Sequence, residues 1–246
     1  MGVLDGKVAI VTGGARGVGR GIALALGKEG ARIAIADVLD ATSTVAALSD
    51  AGAEAFAAEC DIRASANVDA FVGSVVERFG TVDVLVNNAI DTAIGPLETL
   101  TDEQVLRSFE TGPLATYWFL RACFPHLRDG GRVINLRSGT EQNGMSGYAA
   151  YVAAKAAVGG LTRAAAREWG RHGINVNAIV PFALSEGTRS ALSDDQVEGV
   201  LRQLSLRRDG DPEADIGRAA VFLAGPDSAY VTGSTLMLDG GGAFFS

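Results

Sequence analysis

The chain has 246 residues and a formal net charge of −8 at pH 7, with 48% hydrophobic residues. That length admits one large α/β domain or two small ones, and the apolar share supplies a sizeable core. The acidic balance, with a pI near 4.8, argues against nucleic acid or an anionic membrane surface as the main partner.

The N-terminus, "MGVLDGKVAIVTGG", lacks a charged leader followed by an apolar core and cleavage site. The first strand is expected at 7–12 and the next at 31–36, 53–60, 82–87, 131–137, 174–180 and 234–239. These runs are continuously apolar rather than alternating, the pattern of strands covered on both faces. Helix-period stretches fill the gaps at 16–29, 64–79, 102–127, 148–171 and 212–223. Strand and helix in alternation imply βαβ units and a parallel, doubly wound sheet in a single domain. No linker or repeat interrupts it. One long irregular stretch, from Pro181 to about Leu206, reads as a functional loop. No apolar run reaches the roughly 18 residues that span a bilayer. Two cysteines, Cys60 and Cys123, lie far apart and suit a reducing cytoplasm.

After the first strand comes "VTGGARGVGRG", with Gly13, Gly17 and Gly19 at the start of a helix. A pyrophosphate needs bare backbone N–H groups at a helix N-terminus with no Cβ in the way. An ordinary glycine-rich turn is the plainer reading. Asp37, 18 residues beyond Gly19, ends the next strand. A carboxylate there suits the ribose hydroxyls of NAD(H) and repels a 2′-phosphate. Arg16 is the opposing signal, because a basic residue in this loop suits NADP(H). Asp37 stands nearer the discriminating group, so NAD(H) is preferred over NADP(H).

In "GYAAYVAAKAAVGG", Tyr151 and Lys155 are i and i+4 on one helix face. An ammonium beside a phenol favours phenolate and would lower its pKa from about 10. Ser138, at the end of the fifth strand, faces the ligand crevice and could hold a substrate oxygen. A packing helix with a snorkelling lysine explains the segment equally well by itself. His126 and His172 sit near helix ends and read as caps. Cys60 adjoins Asp61, and no metal-ligand cluster is visible.

TGxxxGxG at 12–19, Asp61, "NNA" at 87–89, Ser138 and YxxxK at 151–155 together resemble the short-chain dehydrogenase/reductase family. The likeness extends to "DGG" at 239–241 and covers essentially the whole chain. It implies a seven-stranded parallel sheet in a Rossmann fold, helices on both faces and a nicotinamide cofactor. It implies Tyr151 as general acid/base, Lys155 as its electrostatic partner and ribose ligand, and Ser138 as substrate-oxygen anchor. The cofactor would be held by Gly13, Arg16, Gly17, Val18, Gly19, Asp37, Asp61, Ile62, Asn88, Ala89, Tyr151, Lys155 and Pro181. Asn87 would support the sheet, and Tyr148 would line the substrate pocket. The substrate loop would span about 182–206.

Four positions depart from the family pattern, all near the nicotinamide half. Ile90 follows Ala89 where glycine is usual. Gly112 falls where a catalytic asparagine is expected, Phe182 follows Pro181, and Glu186 replaces a threonine. An oxidoreductase acting on a secondary alcohol or ketone is the leading reading; a dinucleotide-binding sensor or scaffold with little catalysis is the alternative. Phe182, Ile90, Tyr148, Met145 and Phe124 are candidate apolar lining. Asp129 and His172 make an acyl-carrier substrate less attractive. The long helices carry small or apolar residues on several faces, which with the resemblance points to a homotetramer, or failing that a dimer.

Overall fold

The computed structural model describes residues 2–127, 129–184, 189–190 and 192–243. Its centre is a seven-stranded sheet in the order β3-β2-β1-β4-β5-β6-β7. The strands are β1 (Val8–Thr12), β2 (Arg32–Asp37), β3 (Ala55–Glu59), β4 (Val84–Asn87), β5 (Arg132–Leu136), β6 (Asn175–Pro181) and β7 (Thr235–Leu238). All pair in parallel.

Each face of the sheet is covered. Ala9 and Val11 of β1 point into one core cluster, with Ile22 and Leu26 of the helix α1 (Gly17–Lys28). Their neighbours Val8 and Ile10 point into the other, with Phe71 of α3 (Ser65–Phe79). That double burial is why the strands read as unbroken apolar runs. Each fully buried Val or Ile contributes about 1.5–3 kcal/mol.

Two expectations need correction. Helix α2 (Thr42–Asp50) is absent from the sequence reading. It buries only Thr44 and Leu48, so "TSTVAALSD" shows almost no apolar stripe. The helix expected at 102–127 is really α4 (Asp102–Phe109) and α5 (Ala115–Cys123), joined by a π-helical turn at Glu110–Leu114. Pro113 inside that turn has no N–H to donate. The ladder recovers when the Ala115 N–H reaches the Glu110 and Gly112 carbonyls. Thr111 Oγ1 lies 2.8 Å from the Arg107 carbonyl.

The remaining helices are α6 (Thr140–Asn143), α7 (Ala149–Trp169), α8 (Asp194–Leu201) and α9 (Arg218–Ala224). Helix α8 lies within the stretch read as irregular. A capping box of Ser193 and Gln196 starts it. Glu186 lies outside the described residues. Among those described, no helix is long and apolar enough to cross a membrane.

Candidate active site

The chain order reverses direction across the sheet between β1 and β4, which opens a crevice at the strands' carboxyl ends. The loop after β1 turns sharply into α1. Gly13 and Gly17 have φ of +67° and +57°, a left-handed backbone that disfavours a Cβ. At Gly19 a Cβ would sit 2.1 Å from the Gly13 carbonyl oxygen. Arg16 is the N-cap of α1, extended and exposed, and no side chain caps the helix. The N–H groups of Gly17, Val18 and Gly19 therefore begin a helix without a side-chain cap among the described residues. A dinucleotide pyrophosphate fits such an end.

Asp37 closes this loop from the side. Its carboxylate accepts the Ala15 N–H at 2.9 Å and the Leu39 N–H at 3.0 Å. It also borders a cleft of about 510 Å³ formed with 38–42, Val45 and β3. Asp61, after β3, is held by Arg63 through contacts of 2.6–3.1 Å. That pairing lowers its carboxyl pKa. Ile62 beside it is buried, as is Cys60. Burial raises the Cys60 thiol to about 11, so it is not a reactive thiolate.

Thr12 ties the two sides of the crevice, a role that the sequence left unassigned. Its hydroxyl accepts the N–H groups of Asn88 and Ala89 at 2.9 and 3.0 Å. The Asn88 side-chain amide donates to the carbonyls of Thr12 and Gly13 at 2.8 and 3.0 Å. That amide is thus spent on bracing the glycine loop. Asn87 donates to Asn135 of β5 at 2.8 Å, the expected sheet support.

On α7, Tyr151 and Lys155 share a face next to the end of β5. Lys155 is 4% exposed and its Nζ donates to the Leu136 carbonyl at 2.8 Å. It lies 5.8 Å from the Tyr151 ring centroid. Burial lowers its pKa to about 8. The depressed phenol expected from the sequence is not what this arrangement gives. Burial raises the Tyr151 pKa, and only the Ser138 hydroxyl pulls it down. The ammonium donates to the Leu136 carbonyl, and desolvation of the phenol prevails. Tyr148, the N-cap of α7, lies edge-on to Tyr151 at 6.1 Å.

Ser138 Oγ is 2.9 Å from Thr140 Oγ1 and accepts the Thr140 N–H at 3.2 Å. Its own N–H donates to Glu141 Oε1 at 3.1 Å. Glu141 is a second feature that motif reading misses; the available signal is its i,i+4 spacing from Arg137.

The four departures resolve differently. Gly112 is buried, and a Cβ there would be 3.3 Å from Ala154 Cβ and 3.6 Å from Ile90 Cδ1. Ile90 therefore leans toward the space beside Gly112. Pro181 ends β6 opposite Leu238. Phe182 borders a cavity of about 470 Å³ with Leu206, Arg208, Met237 and Gly240. That cavity does not include Ser138, Tyr151 or Lys155. Phe124 is not pocket lining: it stacks on Trp169 at 4.9 Å and meets His172 edge-on at 5.4 Å. This cluster is at the entry end of β5 and β6, remote from Ser138, because the His172 carbonyl accepts the Asp129 N–H just before β5. The role of His172 is ring packing rather than a helix cap. No group of three His, Cys, Asp or Glu among the described residues is placed to hold a metal.

Comparison with known proteins decides the family. A model described as enoyl-(acyl carrier protein) reductase matches residues 13–243. The chain is 40% identical to the 12α-hydroxysteroid dehydrogenase of Clostridium sp. (strain ATCC 29733 / VPI C48-50), over 98% of each chain. The chain belongs to the short-chain dehydrogenase/reductase family. A blue fluorescent protein from a metagenomic library, solved with NADPH, superposes with a TM-score of 0.90 at 37% identity, covering 98% of this chain and 99% of the other. Carveol dehydrogenase from Mycobacterium avium, solved with NAD, gives 0.91 at 29% identity, over 98% and 99%. Family membership makes the protein a nicotinamide-dependent oxidoreductase. The same fold thus holds NADPH in one neighbour and NAD in the other.

Proposed function

We propose that this protein is a single-domain NAD(H)-dependent dehydrogenase/reductase that interconverts a small secondary alcohol and its ketone. The observation that carries this reading is the convergence of Ser138, Tyr151 and Lys155 beside an uncapped, glycine-lined helix N-terminus that Asp37 flanks. The bound nicotinamide supplies or accepts the hydride. Every other task falls to the chain. Backbone N–H groups at 13–19 receive the pyrophosphate, while Asp37 accepts hydrogen bonds from the adenosine ribose. Arg16, Asp61 and Ile62 border the adenosine end; Asn88, Ala89 and Pro181 border the nicotinamide end. Ser138 holds the substrate oxygen, and the Tyr151 phenol gives it a proton in reduction and takes one in oxidation. Lys155, with a pKa of about 8, keeps its ammonium at pH 7 to hold the ribose and face the phenol. Tyr148 and the loop at 182–206 shape the substrate side.

The preference for NAD(H) over NADP(H) rests on Asp37, whose two carboxylate oxygens each already hold a backbone N–H and so cannot swing away from a 2′-phosphate. The exposed Leu114 and Tyr117 on the α5 side fit a homotetramer. The two cysteines, free and buried, fit a cytoplasmic protein. The relatives named for a hydroxysteroid and for carveol accord with a cyclic alcohol class.

The second reading, a dinucleotide sensor, is favoured by one observation: Ile90 crowds the place where the family's asparagine amide would act. A titration with NADH and NADPH, followed by a panel of alcohols and carbonyls, separates the two. Turnover with tighter NAD(H) supports the enzyme. Tight binding without turnover of any compound supports the sensor, and equal or tighter NADPH binding overturns the role given to Asp37.

A further inference from the structure

Beneath the site lies a buried ion pair that the proposed reaction does not employ. Arg137 and Glu141 are 10% and 4% exposed, with Nη2 and Oε2 2.5 Å apart. Arg137 Nε also donates to the same carboxylate at 3.2–3.3 Å. Its Nη1 donates to Thr235 Oγ1 of β7 at 2.9 Å. Helix α7 makes room for the guanidinium, since a Cβ at Gly159 would lie 2.7 Å from its Nε and Cζ. The guanidinium is thus clamped from β7, α7 and Glu141 at once.

The carboxylate so locked has a second task. Its Oε1 takes the Ser138 N–H at 3.1 Å, and the Ser138 hydroxyl in turn acts on the Tyr151 phenol. A buried ion pair adds little net stability compared with apolar residues of the same volume. Here its carboxylate stands one hydrogen bond from the serine, on the short helix α6 that packs against α7, which carries the phenol and the lysine. The charged and titratable groups that Glu141 pairs with or acts on are Arg137 from the β5 end, and Tyr151 and Lys155 from α7. Asp239 follows β7 beyond Gly139, and its oxygens are occupied by the Gly241 and Ala243 N–H groups.

We propose that Glu141 is a positioning residue for the reaction: clamped by Arg137, it fixes the backbone of Ser138 and places a permanent negative charge under Tyr151 and Lys155. The inference rests on the reading that Tyr151 moves the proton. The charge raises the proton affinity of both groups. It offsets part of what burial costs the Lys155 ammonium and keeps the phenol protonated, the form that carbonyl reduction needs.

The test uses the full chain without cofactor or substrate. Tyrosinate absorbance is titrated for the wild type, Glu141→Gln and the double variant Arg137→Gln/Glu141→Gln, each as a difference against the same protein carrying Tyr151→Phe. Glutamine keeps an oxygen for the Ser138 N–H, and the double variant leaves no buried charge unpaired, so it reads the effect where the single variant does not fold. Tyr151 is expected to titrate at lower pH by about 0.5 unit or more in both. An unshifted Tyr151 titration in the folded variants, with only a lower melting temperature, makes the pair structural and overturns the proposal. An inactive wild type would sink the dehydrogenase reading and leave this result standing.

Discussion

The two halves of the crevice are built from different materials. The half proposed for the adenosine is backbone: positive-φ glycines, a helix end without a side-chain cap and a carboxylate that braces the loop through N–H groups. The half proposed for the nicotinamide is side chains brought from β4, the π-helical turn, β5 and α7. A backbone site has few solutions, because one Cβ at Gly19 would strike the Gly13 carbonyl. A side-chain site tolerates exchange, because one group can lean into the space another leaves, as Ile90 does beside Gly112. The departures from the family pattern fall where exchange is tolerated.

The largest expected effect breaks the nicotinamide half and spares the other. Tyr151→Phe keeps the buried ring and removes the proton. Turnover should fall about 10²-fold or more, while dinucleotide affinity measured by fluorescence hardly changes. Tyr148→Phe should alter KM more than kcat. If Tyr148→Phe proved the inactive variant, the roles of the two tyrosines would be exchanged.

Lys155 gives the next largest effect, read as stability. Its folded pKa of about 8 lies below the ordinary lysine value of 10.5. Below pH 8 the folded protein carries a buried ammonium at a cost; above 10.5 both states are neutral and the cost is gone. The sign is therefore a stability that rises with pH between those values, by up to about 3 kcal/mol. Lys155→Met lacks this titration. Denaturant unfolding of both proteins from pH 7 to 10 should show the wild type gaining on the variant; a constant difference would mean that Lys155 titrates normally.

The fold was legible because continuous apolar strands announce a sheet covered on both faces. The glycine loop braced by Asp37 was legible because glycine and a carboxylate at set spacings have few alternatives. Three things were not. Helix α2 buries too little to leave a stripe. The π-helical break at Pro113 within 102–127 depends on where the Ala115 N–H finds a carbonyl. Phe124 looked like pocket lining because an aromatic residue carries no address; its position at the far end of β5 comes from Trp169 and His172. The direction of the Tyr151 shift was also beyond sequence. Spacing places the ammonium on the correct face, but whether it or desolvation prevails depends on burial.

Asp37 sharpens the adenosine side with a smaller effect. Asp37→Asn keeps the size and removes the charge facing a 2′-phosphate. The ratio of NADP(H) to NAD(H) affinity should rise about tenfold, near 1.4 kcal/mol. A ratio that does not move in paired titrations would transfer cofactor choice to Arg16 or another group.

The smallest expected effect asks whether the two departures at Ile90 and Gly112 are one change. Gly112 is buried and its backbone is not left-handed, so asparagine meets no φ penalty there. Its Cβ would press on Ala154 Cβ at 3.3 Å and touch Ile90 Cδ1 at 3.6 Å, before any amide is placed. Gly112→Asn alone should therefore destabilise the protein and give little gain in turnover. Ile90→Gly alone should open a gap and also destabilise it. Together, the amide takes the space that the isoleucine vacates, and the double variant should be more stable than the sum of the singles by about 1 kcal/mol. A double-mutant cycle on thermal unfolding measures this directly. Additivity within about 0.5 kcal/mol would show that Ile90 does not hold the place of the missing amide. If coupling is present and turnover also rises several-fold, the amide is a working part that this chain lacks. If coupling is present and turnover stays level, the site moves its proton without the amide.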